Sequence, residues 1–137
     1  MEETVALPLG QPWGDGDTPY EAIGGDSVVR ELCERFYDRV DDSAPTLRVM
    51  LPKDDSVSRV KLYEFLSGWM GGPPLYMEKR GHPRLRMRHM PFAIGEDEVG
   101  EWLRCMNEAL DEMEVTGRLR TYLDAQFHRS ANWMQNQ

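Results

Sequence analysis

Apolar residues recur at three- and four-residue steps in four long stretches of this chain, which is the spacing of amphipathic helices. The first starts at Asp26 or Ser27, either of which can cap an opening turn, and carries Val28, Val29, Leu32, Cys33, Phe36, Tyr37 and Val40. Gly24-Gly25 separates it from a short helical turn around Tyr20-Glu21-Ala22-Ile23. The second is expected from about Ser56 to Trp69, with Leu62, Phe65, Leu66 and Trp69 on its stripe, and Gly71-Gly72-Pro73-Pro74 stops it. A third follows Gly95, opens on the dipole-favoured acids Glu96, Asp97 and Glu98, and aligns Val99, Trp102, Leu103, Met106, Leu110 and Met113. The fourth follows Gly117 through Leu119, Leu123, Phe127, Ala131 and Met134. Residues 71–82, rich in glycine and proline, read as a functional loop. From His82 to Pro91 the pattern predicts a helix of barely two turns, with Pro83 suited to a first helical position and Pro91 forbidding continuation.

Composition points the same way. Isoleucine occurs only at Ile23 and Ile94, against 13 leucines and 9 methionines, so the expected fold is all-α. At 137 residues the chain has room for a single core, read as one domain over 18–137 behind a flexible extension over 1–17 that Trp13 could dock. A net charge of −8 argues against a nucleic-acid partner, which needs a basic face to release counterions. No apolar run approaches the ~18 residues of a membrane span, and the acidic start Met1-Glu2-Glu3-Thr4 lacks the features of an export signal. A cytoplasmic protein without a membrane partner is expected. Cys33 and Cys105 form no C-x-x-C pair and read as buried thiols in a reducing compartment.

Little catalytic vocabulary is present: there is no G-x-S-x-G, P-loop or G-x-G-x-x-G. No two of the three histidines stand three or four apart, so a multi-histidine zinc site is poorly supported. A site that needs one imidazole remains, and haem iron is such a site. His89 is the best placed, with Leu85 one turn earlier on the same face to pack under a flat ring; the alternative is a histidine capping a short helix end. Lys79, Arg80, Arg84, Arg86 and Arg88 crowd ten positions of an otherwise acidic chain. They suit an anion such as porphyrin carboxylates, or else form a solvated basic surface. Tyr37 and Trp102 bring an O–H and an N–H to apolar helix faces, where most such residues are core; on a shared cavity they would suit a polar ligand.

The segment Gly71-Gly72-Pro73, Tyr76, Gly81-His82-Pro83-Arg84-Leu85-Arg86-Met87-Arg88-His89, Pro91-Phe92 and Trp102-Leu103-Arg104-Cys105-Met106 resembles group II truncated haemoglobins. Tyr20-Glu21-Ala22-Ile23-Gly24-Gly25 and Arg35-Phe36-Tyr37 extend the likeness, which covers about residues 18–134. The resemblance implies a two-over-two helical sandwich with a very short proximal helix. It implies haem b (iron protoporphyrin IX) with His89 as the iron ligand and Tyr37 and Trp102 as the donors over a held ligand. Tyr76 and Arg88 would contact the haem propionates, Leu62, Phe65, Leu85, Phe92 and Ile94 would wall the cavity, and Ser58 would stand at the distal gate. One position departs from the family. Leu51 stands where a tyrosine, histidine or phenylalanine usually precedes the corner proline, so Tyr37 lacks a polar neighbour there.

By this resemblance the ligands are dioxygen, carbon monoxide, nitric oxide or peroxide. Two donors on one ligand slow its release, which favours nitric oxide oxidation or peroxide-handling chemistry, supplied by a reductase, over transport. The acidic surface suits a basic electron-transfer partner, and the chain is expected as a monomer or homodimer. The competing reading is a haem-free helical interaction or small-ligand sensing module in which His89 is structural.

Overall fold

The computed structural model describes residues 13–14 and 16–137, and every regular element among them is helical. The elements are α1 (Pro19–Ile23), α2 (Asp26–Ser43), α3 (Pro45–Arg48), α4 (Ser56–Trp69), α5 (Leu75–Arg80), α6 (Leu85–His89), α7 (Glu96–Glu112) and α8 (Gly117–Met134). The four long helices match the four apolar stripes. α2 packs most extensively on α7 and next on α4, and α7 pairs with α8. Between them lies one core in which Leu32, Phe36, Leu66, Met106, Leu110 and Leu123 are fully buried. Cys33 and Cys105 are free thiols in that core, and burial pushes the Cys105 thiol up to about 11, so it is a packing residue and not a nucleophile.

Local chemistry sets the entry to this core. Thr18 and Glu21 exchange side-chain and backbone hydrogen bonds, both 3.1 Å, in a capping box that starts α1. Gly24 (φ 124°) and Gly25 (φ 84°) then redirect the chain, and Tyr20 N–H donates to Met70 O at 2.9 Å, tying α1 to the end of α4. Gly72 is required there, since a Cβ would meet the Tyr20 ring at 2.4 Å.

Several expectations need correction. Neither Asp26 nor Ser27 caps α2: Gly25 is the N-cap, and the Asp26 carboxylate instead accepts from the Tyr63 hydroxyl and pairs with Arg30. The loop over 71–82 contains α5, seeded behind Pro73-Pro74 and ended by Gly81 at φ 82°. The short helix begins at Leu85, two residues after Pro83, because Arg84 N–H donates to His82 Nδ1 at 3.1 Å and Arg84 turns left-handed (φ 48°). α3 carries no stripe of its own. Its first N–H groups, from Thr46 and Leu47, are both accepted by Glu101 Oε1 at 3.1 Å, a cap supplied across the fold from α7. Glu101→Ala is therefore expected to cost about 1 kcal/mol in urea unfolding, the scale of a lost helix cap.

The extension over 1–17 lies outside the described residues at 1–12 and 15. Trp13 does dock: its ring meets Tyr122 edge-on at 5.0 Å, and the Arg118 guanidinium lies 3.7 Å from the ring centre.

Glu64 is the unexpected occupant of α4. Its side chain is 1% exposed, and its carboxylate takes Arg80 at 2.8 Å and Lys79 at 3.0 Å, both reaching back from α5. Burial raises its pKa, but the hydrogen bonds from Arg80 and Lys79 outweigh burial and hold it below the ordinary 4.5. A depressed carboxylate contributes stability that is complete above its unfolded value and is lost as pH falls through the folded one. Unfolding free energy should thus lose this contribution only below about pH 4.5, and the acid slope should be shallower in Glu64→Gln, as read by urea titrations across that range.

Candidate haem cavity

α6 is a helix of five residues and no buried side chain, too short to hold itself. The carboxy-terminal residues hold it in place. Asn136 Nδ2 donates to Phe92 O at 2.9 Å and to His89 O at 3.3 Å, Asn136 Oδ1 accepts from Ile94 N–H at 2.9 Å, and Arg86 donates to Trp133 O at 2.7 Å. His89 is thereby fixed at the wall of a cavity of about 500 Å³ that α2, α4, α5, α6, α7 and α8 all line. Its Nδ1 lies 2.6 Å from Leu85 O. A carbonyl only accepts, so Nδ1 carries the proton and Nε2 keeps its lone pair for a ligand or metal. This backbone anchor is the usual second support of a metal-binding histidine.

The residues that the family resemblance placed around the haem all line this cavity, namely His89, Tyr37, Trp102, Leu51, Ser58, Leu62, Phe65, Tyr76, Leu85, Arg88, Phe92 and Ile94, whereas Lys79, Arg80, Arg84 and Arg86 of the basic patch do not. Tyr37 comes from α2 and Trp102 from α7. Trp102 is wedged between Phe36 (5.1 Å) and Phe127 (5.6 Å), and Tyr37 stands edge-on to Phe36 at 5.0 Å. Neither the Tyr37 hydroxyl nor the Trp102 indole N–H has a hydrogen-bond partner among the described residues. Burial pushes the Tyr37 phenol above its ordinary 10, so it remains a donor at neutral pH. Leu51 lines the same cavity and carries no polar group. Tyr76 packs its edge on Phe65 at 6.5 Å, and Arg88, exposed at the rim, meets no carboxylate among the described residues.

The five-residue basic patch is divided by the fold. Lys79 and Arg80 are engaged by Glu64, whereas Arg84, Arg86 and Arg88 remain without a carboxylate partner among the described residues. The periodic reading assigned no site role to Trp69, Phe127 or Ser130, which also line the cavity; the Trp69 N–H and Ser130 hydroxyl are buried there without partners. Trp69 and Phe127 stood on the predicted stripes, but nothing in their spacing separates cavity from core.

The residues fit a large apolar disc held by one imidazole. Apolar walls enclose a volume in the range of ligand pockets, one nitrogen lone pair is free, and two unpartnered donors enter from other helices. Among the described residues no three histidine, cysteine, aspartate or glutamate side chains gather to hold a metal on their own.

The bacterial-like globin family model matches residues 18–136. The chain is 40% identical over 121 residues to the group 2 truncated haemoglobin YjbI of Bacillus subtilis, covering 88% of this chain and 90% of that one. It belongs to the group II truncated haemoglobins. The group II 2-on-2 haemoglobin of Agrobacterium tumefaciens superposes with a TM-score of 0.86 at 46% identity, covering 91% of this globin and 98% of that chain. A structure described as a truncated oxygen-avid haemoglobin from Bacillus subtilis superposes with a TM-score of 0.83 at 40% identity, over 88% and 100% of the two chains. The two-over-two architecture expected from the sequence is thus shown, and the family binds haem and diatomic gases. Among the described residues no helix is long and apolar enough to cross a membrane.

Proposed function

We propose that this globin binds haem b through His89 Nε2 and uses it for redox chemistry on diatomic ligands or peroxide, with nitric oxide oxidation and peroxide removal as the leading activities. The observation that carries the reading is the His89 imidazole, proton-anchored on Leu85 O with its other nitrogen free at a cavity that also receives two unpartnered donors.

Haem supplies an iron centre that takes one small ligand and exchanges electrons. The chain does the rest. Leu85 O and Asn136 orient His89 and its helix; Leu62, Phe65, Leu85, Phe92 and Ile94 exclude water from the macrocycle faces; Tyr76 and Arg88 address the propionates. Tyr37 O–H and Trp102 N–H donate to a ligand that carries partial negative charge, and Ser58 leaves its approach open. A ligand held by two donors leaves slowly, which suits conversion better than delivery. The relative described as oxygen-avid supports that direction. Two free buried thiols are in keeping with a reducing, cytoplasmic setting and a reductase that renews the ferrous state.

The test is an absorption spectrum of the purified protein, ferric and dithionite-reduced, with and without carbon monoxide, followed by reductant-coupled consumption of nitric oxide and peroxide. A Soret band that shifts with carbon monoxide, and turnover well above that of free haem, is expected. Turnover equal to free haem would return the protein to simple ligand binding, and no band after adding haem would leave the interaction-module reading.

A further inference from the structure

Residues 79–95 hold five of the sixteen cations of the chain and none of its twenty-four acids. Elsewhere the arginines are largely neutralised in place: Arg30, Arg35, Arg39, Arg48, Arg59, Arg104 and Arg120 all pair with carboxylates. Arg84 and Arg88 pair with none of the described residues, and Arg86 meets only the Trp133 carbonyl and ring. Around these three guanidiniums Met87 is 58% exposed, Met90 56% and Phe92 42%. Exposed apolar side chains grouped within a few positions and flanked by charge mark a contact surface, and the segment is part of the cavity wall, since Leu85, Arg88, His89 and Phe92 line the interior from it.

The geometry points to this face as the docking surface for an acidic, small electron-transfer protein, with Met87 and Met90, which do not line the cavity, as its apolar centre and Arg84 and Arg86 as its charged rim. The inference rests on the haem reading above. The reduced donor would pass one electron to the haem that His89 would hold, through the segment that carries His89; no bond or proton moves. The net charge of −8 would select a basic partner, but recognition is local, and the potential at the contact decides which partner is steered. The acidic remainder of the surface then disfavours docking of the same partner anywhere else.

The probe is an acidic [2Fe–2S] ferredoxin against the haem-loaded chain. Binding of the oxidised ferredoxin is followed by titration calorimetry, and reduction of the ferric globin by the reduced ferredoxin is followed by stopped flow. Arg84→Glu is expected to weaken binding and slow reduction by about tenfold at low ionic strength, with the difference collapsing at high salt. The Soret band and reduction by photoreduced lumiflavin, a neutral small donor, should not change. Arg84→Gly, which removes the charge and suits the left-handed backbone at φ 48°, should give a smaller loss in the same direction and guards against a folding defect. Ferredoxin binding that is independent of salt and of Arg84 overturns the proposal, as does Arg84-dependent binding to phosphatidylserine vesicles without ferredoxin binding. A chain that takes up no haem overturns the cofactor reading and this proposal with it, whereas a normal Soret band with Arg84-independent ferredoxin binding overturns the docking surface alone.

Discussion

His89→Ala is expected to lower haem affinity by more than about 100-fold and to remove the histidine-ligated ferrous spectrum. Loss of a mere outer-shell partner of a metal-binding histidine costs roughly 10–100-fold, and here the ligand itself is deleted. No neighbour can replace it. His82 lies on the approach to α6, where its Nδ1 accepts from Arg84 N–H, and His128 is exposed on α8 and does not line the cavity. The helical fold should survive, because His89 stands outside the hydrophobic core and α6 is fastened by Asn136 and Arg86 through backbone carbonyls that the substitution leaves in place. Far-ultraviolet circular dichroism checks that point. In His89→Gly, added imidazole should enter the vacated space and restore the band, a rescue that a merely structural histidine would not give. A normal Soret band in His89→Ala would move iron ligation elsewhere and sink the proposed site.

How far the sequence could be read depended on length. α2, α4, α7 and α8 run fourteen to eighteen residues, long enough for a 3.6-residue period to emerge, and each stripe faces the single core. α3 and α5, of four and six residues, offer no period to read. Their stability comes from partners far along the chain, Glu101 for α3 and Glu64 for α5, and neither partner is visible locally. Glu64 carried the opposite signal: a charged residue marks a solvated face, yet it is buried because two cations from another helix accompany it. For the site, the residues alone led to His89, Leu85, Tyr37 and Trp102. The remaining wall came from the family resemblance, since an apolar side chain bordering a cavity has the same pattern as one in the core. Asn136, which secures the segment bearing His89, had no signal at all, because a polar residue near a chain end reads as solvated.

Trp102→Phe and Tyr37→Phe are each expected to accelerate dioxygen release by roughly 10- to 150-fold. A hydrogen bond to an acceptor bearing charge contributes about 1.5–3 kcal/mol, and RT sets that interval as the corresponding ratio of rates. Both substitutions keep the ring and remove only the donor. Phe at 102 can still pack between Phe36 and Phe127, and Phe at 37 can still stand against Phe36, so a change in release reports the lost N–H or O–H rather than a cavity. Carbon monoxide supplies the internal control. It gathers less negative charge than dioxygen, so its release, measured in the same stopped-flow instrument, should change much less. Because burial raises the Tyr37 phenol above its ordinary 10, dioxygen release from the unsubstituted protein should also be insensitive to Tyr37 ionisation from neutrality to about pH 10. The double variant then decides how the donors work. If both address one ligand atom, the effects of the two losses do not multiply; independent contacts give rates that multiply. Unchanged release in both single variants would make Tyr37 and Trp102 plain wall residues. The argument from slow release to redox chemistry would then lose its physical basis, and ligand delivery would become the better account of this cavity.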